Sequence, residues 1–399
     1  MVTEPAGPPF KATLWIKPAF RTDFIDVRAK LAEEFGSEFA RYPKALYISD
    51  HTTAGYLDQR LAQRLEYDQA KLQEFIRVFH EIFPPKAGYV HDELDLRTEL
   101  SDEQRATEPE NADSHLTFIG AGLQSAASYD HEKDKPVWFV DLDGVHRGGT
   151  RQRRTTVVGY GEEEVVARTQ LTVQVPSHGI DAIDLREQEF GFVDRLQALV
   201  EEHGVPFGRL DVSLAPQEAG ASLTVNEYEP LLMNSDLRGV LLSPLQFMAD
   251  QGREVLSRPL SLPGKALRLP GKALRLPGKA LRLSGKALHV ARMGTTAFRS
   301  SPGPVIDSAT VEAVHILNRV LERIGVDESV IARVLNRTLA FPVSRFQGLR
   351  RGISLPVIDR DGDGKGEIPW GTYQSPILIQ WKAPQGPTRE LDVKLVRFV

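Results

Sequence analysis

A chain of 399 residues with no cysteine excludes disulfide frameworks, cysteine-ligated zinc, iron–sulfur clusters and thiol nucleophiles. At about 100–200 residues per domain the length predicts two domains or three. With 41% hydrophobic and 26% charged residues the composition is that of a globular protein able to build a core. The net charge of −5, from 49 basic and 54 acidic residues, argues against nucleic acid as a whole-surface partner but leaves room for local basic patches. Met1–Pro9 is acidic and proline-rich rather than signal-like, and no apolar run reaches the roughly 18 residues of a membrane span. A soluble cytoplasmic protein is expected.

In chain order, Thr13–Ile16 alternates like a strand, Phe24–Val27 follows, and Lys30–Phe39 has helical spacing. Ala45–Ser49 reads as a strand running into His51-Thr52-Thr53-Ala54-Gly55. Val137–Leu142 is a further strand, entering Asp143-Gly144 and a basic, β-rich stretch that ends near Val158. The same order then returns. Leu171–Val175 alternates, Ala182–Leu185 leads into a helix over Phe190–Glu202, Arg209–Leu214 is a strand followed by Glu218–Leu223, and Ile377–Trp381 precedes a final strand, Leu391–Phe398. A tandem α+β duplication accounts for this repetition.

Asp26 to Asp184 is an offset of 158, Gly55 to Ser222 one of 167 and Val137 to Ile377 one of 240, so the second copy holds 73 additional residues in its middle. Four heptads, Leu262–His289, lie there: Leu-Pro-Gly-Lys-Ala-Leu-Arg three times, then Leu-Ser-Gly-Lys-Ala-Leu-His. Pro-Gly breaks a helix at nearly every unit, which argues against a coiled coil. The heptads carry seven positive charges and no negative one; they read as a solvated low-complexity loop ahead of an anion-binding arm. Ser308–Ile324 and Glu328–Leu339 have helical apolar spacing. The domains are expected at 9–161 and 167–399, with the insertion at about 258–330.

Six of the ten histidines fall between His51 and His146, which concentrates the candidate chemistry in the first half. His51 follows a strand, His91 lies in Gly88-Tyr89-Val90-His91-Asp92, and His115 in Asn111-Ala112-Asp113-Ser114-His115-Leu116. Three imidazoles from separate elements are what a metal site with an open position needs. Asp92 and Asp113 could fix the imidazole tautomers. Taken singly, a histidine is more often a satisfied core or surface residue than a metal ligand.

Together these segments, with Asp143-Gly144 before an arginine-rich strand, resemble the YjbQ-like family. Its pattern has a His-Thr-Thr/Ser-Ala segment ending in Asn-Glu, a Tyr-x-His, an Asn-Ala-x-x-His-Leu, a Gly-Thr-Trp-Gln and an Asp-Gly-Pro-Arg. The resemblance implies two tandem β-sandwich domains with packed helices, oligomeric assembly or pseudo-oligomeric packing of the two copies, and thiamine-phosphate synthase activity. That reaction joins a pyrimidine diphosphate to a thiazole phosphate with release of pyrophosphate.

Each copy departs from the pattern differently. The first has Gln59-Arg60 where the family has Asn-Glu, and lacks Gly-Thr-Trp-Gln in Ser128–Lys135; the second restores Asn226-Glu227 and Gly371-Thr372-Tyr373-Gln374 but has Glu218 in place of the first histidine. In one reading the copies combine into a single site. His51, His91 and His115 then hold a divalent metal of the zinc or magnesium class, and Asn226, Glu227, Thr372, Gln374 and Asp113 carry the chemistry. Thr52, Thr53, Asn111, Arg147, Gly371, Tyr373 and Arg389 would contact a small phosphorylated substrate, for which arginine is well suited; Arg151, Arg153 and Arg154 are further candidates. In the other reading the second copy is a scaffold and the protein a non-catalytic metal- or ligand-binding module. Asp359-Arg360-Asp361-Gly362-Asp363-Gly364 begins like a calcium loop, through Asp359, Asp361 and Asp363, but has Trp370 at the twelfth position, so a polar loop joining strands is preferred.

Overall fold

Period-two alternation and register, more than helix propensity, organise this chain. In a computed structural model the described residues are 7–98, 100–131, 135–176, 179–242 and 350–399. All belong to one compact unit formed by residues 1–256 and 333–399. The heptads and the two helices expected after them lie outside the described residues.

The first half runs β1 (Phe10–Ile16), β2 (Asp23–Asp26), α1 (Val27–Phe35), β3 (Lys44–Ser49), β4 (Ala54–Tyr56), α2 (Gln59–Arg64), α3 (Gln69–Ile82), α4 (Asp102–Thr107), α5 (Ala112–Ala121), β5 (Ala126–Asp130), β6 (Trp138–Asp141), the small hairpin β7 (Val145–His146) and β8 (Gly149–Thr150), and β9 (Arg153–Tyr160). The second runs β10 (Glu163–Gln174), β11 (Asp181–Asp184), α6 (Phe192–Glu202), β12 (Gly208–Leu214), β13 (Ala221–Asn226), α7 (Arg238–Leu242), β14 (Gly352–Val357), β15 (Ser375–Gln380) and β16 (Thr388–Phe398).

The strand orders repeat. The first half builds a four-stranded sheet β1-β9-β3-β5 and a three-stranded sheet β2-β6-β4; the second builds β10-β16-β12-β14 and β11-β15-β13. The registers repeat as well. Asp23 faces Asp141 and Asp26 faces Trp138, as Asp181 faces Gln380 and Asp184 faces Ile377. Register is fixed where one face of a strand is buried, because a one-residue slip would turn every apolar side chain outward.

Helix α1 stops at Phe35, short of the Phe39 expected from spacing, because Gly36 caps it at φ 59° and its N–H returns to Ala32 O. Strand β10 begins eight residues before the expected Leu171. Its first residues pair with β16 through the backbone while their side chains stay largely exposed, so hydropathy carried no sign of them.

Each half has its own core, centred on Leu14, Tyr47 and Phe139 in the first and on Leu196, Leu210 and Leu395 in the second. A third cluster joins α3 and α5 to Leu232, Leu237, Ile377 and Ile379 of the second half. A fourth closes the seam between the large sheets, where Tyr160 stacks on Phe398 at 3.8 Å beside Leu46, Ile48 and Val396. The halves therefore share buried apolar surface rather than hanging from a linker.

Candidate functional site

Helix α5 is buried along its whole length and packs on α3. Asn111 at its start makes no side-chain cap; Asp92 serves instead, its Oδ1 accepting the Ala112 N–H at 3.0 Å. The same oxygen lies 3.1 Å from His91 Nδ1, so one carboxylate ties the His91 loop to the helix that carries His115. From the second half, Asp236 accepts the backbone N–H groups of Val90 and His91 at 3.0 and 2.9 Å. The rings of His91 and His115 end 5.5 Å apart, centroid to centroid.

The second half completes this pair. Asn226, at the end of β13, donates from Nδ2 to Thr52 O at 3.0 Å and accepts the Glu227 N–H on Oδ1 at 2.8 Å. Its Oδ1 also faces His115 Nδ1 at 2.8 Å. With the amide oriented by Thr52 and Glu227, His115 Nδ1 must be the donor, which leaves Nε2 with its lone pair. The Glu227 carboxylate lies 3.5 Å from that Nε2. Burial pushes the Glu227 carboxyl up to about 7 against the opposing pull of Arg97. Burial, with the His91 ring beside it, pulls His115 down to about 3.

Arg97 was not marked by any motif. It is 3% exposed and lies 3.1 Å from Glu108, 3.6 Å from Glu227 Oε1 and 3.5 Å from His91 Nε2. The imidazole pair and Glu227 are donors of the type zinc takes, but they are not grouped as a metal-holding set among the described residues. Two imidazoles have their Nδ1 positions anchored, on Asp92 and Asn226, and a carboxylate adjoins one open Nε2. The Arg97 guanidinium leans on the same carboxylate and on His91, so a cation and Arg97 would compete for them.

His51 does not join the pair. Its Nε2 accepts the Arg154 backbone N–H at 2.9 Å, and burial with three neighbouring arginines lowers it to about 3. Among the described residues no three His, Asp or Glu side chains form a metal-holding group, so the three-imidazole set expected from sequence does not assemble. Glu218 takes the equivalent structural task in the second half, accepting the Glu390 N–H at 2.9 Å.

The backbone of the His51 loop is nevertheless held across the halves. Gln374 donates to Ser49 O at 2.8 Å and His51 O at 3.1 Å, and accepts the Gly371 N–H at 3.0 Å. Gly371 lies against the same loop: a Cβ there would sit 2.0 Å from Asp50 O. Thr372 and Tyr373 point outward, Tyr373 being 63% exposed. Thr52 contributes its carbonyl to Asn226, and buried Thr53 accepts from Arg153 at 3.4 Å.

Around α5 the charges pair off. Asp113 holds Arg21 through two bonds of 2.9 and 2.8 Å, and Asp141 holds Arg153 likewise at 2.7 and 2.8 Å. Asn111 donates to Asp143 at 2.9 Å, and Asp143 also binds Arg151. Asn111 Oδ1, Asp143 Oδ1 and Asp92 Oδ2 are buried without a hydrogen-bond partner among the described residues, which leaves oxygen acceptors for a ligand or a harder cation. A cavity of about 250 Å³ is lined by Thr107, Pro109, His146, Gly149, Thr150 and Arg151, the last being the partner of Asp143. Arg147 is turned onto Ala106 O at 2.5 Å.

Arg389 and the three aspartates of the calcium-like loop stand elsewhere. Arg389 is fully buried in the second half, with its guanidinium spent on Glu218 at 2.8 Å, Gln380, and the carbonyls of Ala219 and Lys382. The Asp359 loop is a turn between Ile358 and Glu367: both Asp359 carboxylate oxygens accept backbone N–H groups, from Gly362 at 2.6 Å and Gly364 at 2.9 Å. Asp363 accepts Lys365 N and Asp361 is exposed.

Among the described residues no helix is long and apolar enough to cross a membrane. No family model matches the chain, and no curated protein matches it. Among solved structures it is similar to a YbjQ-like protein of unknown function from Sulfolobus solfataricus, at 14% identity over 59% of this chain and 99% of that one, with a TM-score of 0.27. It is also similar to a hypothetical protein from Aeropyrum pernix K1, at 13% identity over 59% and 98% of the two chains, TM-score 0.25. A third similar structure is an uncharacterized conserved protein of the yjbq/upf0047 family from Clostridium acetobutylicum, at 10% identity over 58% and 99%, TM-score 0.22.

Proposed function

We propose that this chain is a metal-dependent enzyme acting on a small phosphorylated substrate, its site composed from the two halves of a tandem YjbQ-like duplication. The observation that carries the reading is the 2.8 Å contact between His115 of one half and Asn226 of the other, with Glu227 3.5 Å beyond. These are the residues that each copy kept where the other lost them. The repeated strand orders and registers support the duplication.

His91 and His115 through Nε2, with Glu227, would have to draw together around the ion, since no three such side chains are grouped to hold one among the described residues; when bound, it would supply positive charge against a developing phosphate oxyanion. Asp92 and Asn226 orient the imidazoles, and Arg151, which lines the 250 Å³ cavity and is paired with Asp143, offers a guanidinium to phosphate. Arg97 adds a second positive charge against Glu227 and Glu108. Thiamine-phosphate synthase-like transfer is the reaction of this class that the resemblance implies.

The test is pyrophosphate release from a pyrimidine diphosphate and a thiazole phosphate by the full chain with added zinc, magnesium or manganese. The reading expects metal-dependent turnover that falls at least a hundredfold in Glu227→Gln. Wild-type turnover in Glu227→Gln would overturn it. One observation favours the alternative of a non-catalytic binding scaffold: Arg97 already satisfies Glu227 and His91 electrostatically. A chain that takes up metal with no turnover of any phosphorylated substrate would support that alternative.

A further inference from the structure

A larger cavity, about 610 Å³, lies on the seam at a distinct set of residues. Its walls are Asp58–Leu61 and Arg64 around α2, Gln124 and Ser128 by β5, and Arg350–Gly352 entering β14. Four arginines face one carboxylate, and that carboxylate, Asp58, is already paired with Arg350 at 2.9 Å. Arg351 is turned onto the carbonyls of Leu214, Ala215 and Glu218. Arg60 and Arg64 are exposed and have no ion pair among the described residues. Among the described residues the cavity is therefore strongly positive, with two guanidinium groups outside any ion pair.

The position of these arginines within the repeat is informative. Tyr56 faces Phe139 and donates its N–H to Gln124 O at 2.9 Å; Leu223 faces Leu378 and donates its N–H to Arg350 O at 2.9 Å. Tyr56 and Leu223 are thus equivalent, and counting on from each sets Gln59 against Asn226 and Arg60 against Glu227. In the second half Asn226 and Glu227 turn to the imidazole site. In the first, Asp58 caps a helix by accepting Leu61 N, Gln59 clamps Asp130, and the next residue is an arginine beside the cavity. The acid of one position has become a base at its equivalent.

We propose that this cavity is a second ligand site, specific for a small multiply charged phosphate compound, with Arg60 and Arg64 as its anion-binding residues and Arg350 and Arg351 shaping its floor. Its volume is within the range of small-molecule pockets. Guanidinium forks match phosphate oxygens in pairs. The site is independent of His91, His115 and Glu227.

The test is calorimetric titration of the full chain with inorganic pyrophosphate and with inorganic phosphate, in wild type, Arg60→Ala/Arg64→Ala and His115→Ala. The proposal expects saturable pyrophosphate binding, tighter than phosphate, weakened at least tenfold in the double-arginine variant and retained in His115→Ala. Both arginines are exposed, so an unchanged unfolding midpoint will show that the variant is folded. No saturable binding in the wild type, equal binding in the double-arginine variant, or loss confined to His115→Ala would each overturn it. The last of these would place the anion at the imidazole site and leave the proposed function standing.

Discussion

His115 Nδ1 and Asn226 Oδ1 stand 2.8 Å apart although 111 positions separate them in the chain. The contact fixes which imidazole nitrogen carries the proton, and the same amide holds Thr52 and Glu227. Asn226→Ala should remove the acceptor from a buried N–H and cost about 1–3 kcal/mol. It should also let the His115 tautomer redistribute. Denaturant unfolding reads the first effect and nitrogen chemical shifts of the imidazole the second. An unchanged tautomer in the variant would mean that Asn226 does not set it.

Gly371 meets the His51 loop through backbone, with no flexible side chain to yield: its added Cβ would sit 2.0 Å from Asp50 O. Gly371→Ala should therefore push β15 and the loop apart and destabilise by roughly 2 kcal/mol or more. Gln374→Ala should weaken the same junction by loss of its bonds to Ser49 and His51. Thermal unfolding checks both, with Thr372→Ala at the exposed neighbouring position expected to change little.

Much of this arrangement was legible in the sequence, and the rest was hidden for physical reasons. Strand alternation and turn residues marked most of the strands and their order in both halves, because burying one sheet face imposes a period of two. The complementary losses pointed to Asn226, Glu227 and Gln374 acting beside the first half's histidine segments, and all three do make contacts there. Arg97 and Glu108 were not legible: they lie in a charged stretch whose pattern reads as surface, yet Arg97 is buried between carboxylates. Nor could spacing show that His51 spends its Nε2 on Arg154 N, or that Arg389 is consumed by Glu218. These are long-range pairings that leave no local pattern.

The seam carries an acid-sensitive pair. Burial opposes ionisation of Glu163, but bonds from Arg209 at 2.7 Å and from Tyr160 at 2.7 Å outweigh it and hold the carboxyl at about 2, below its ordinary 4.5. Because the folded value is the lower one, the stabilisation is complete above about pH 4.5 and is lost as the pH falls toward 2. At this partly exposed position it should amount to about 1–2 kcal/mol. Glu163→Gln should lower stability at pH 7 and flatten the decline between pH 5 and 2 by about that amount; an unaltered pH profile would refute the assignment.

Arg97 and a bound cation compete for Glu227 and His91 in this account. Arg97→Gln should leave Glu108 and Glu227 without their buried counter-charge and destabilise the metal-free chain by about 3–5 kcal/mol. Zinc should restore much of that loss, since a ligand bound only by the folded state raises its stability. The check is the unfolding midpoint with and without zinc. A zinc-induced shift no greater in the variant than in the wild type would show that the guanidinium and the ion do not share a place.

The most direct test of a site composed from both halves is the zinc stoichiometry and affinity of the full chain in wild type, His115→Ala and Glu227→Gln. The account predicts one ion per wild-type chain and at least a tenfold loss of affinity in each variant, one substitution lying in the first half and the other in the second. Undiminished zinc binding in Glu227→Gln, with His115→Ala alone impaired, would confine the site to the first half and contradict it.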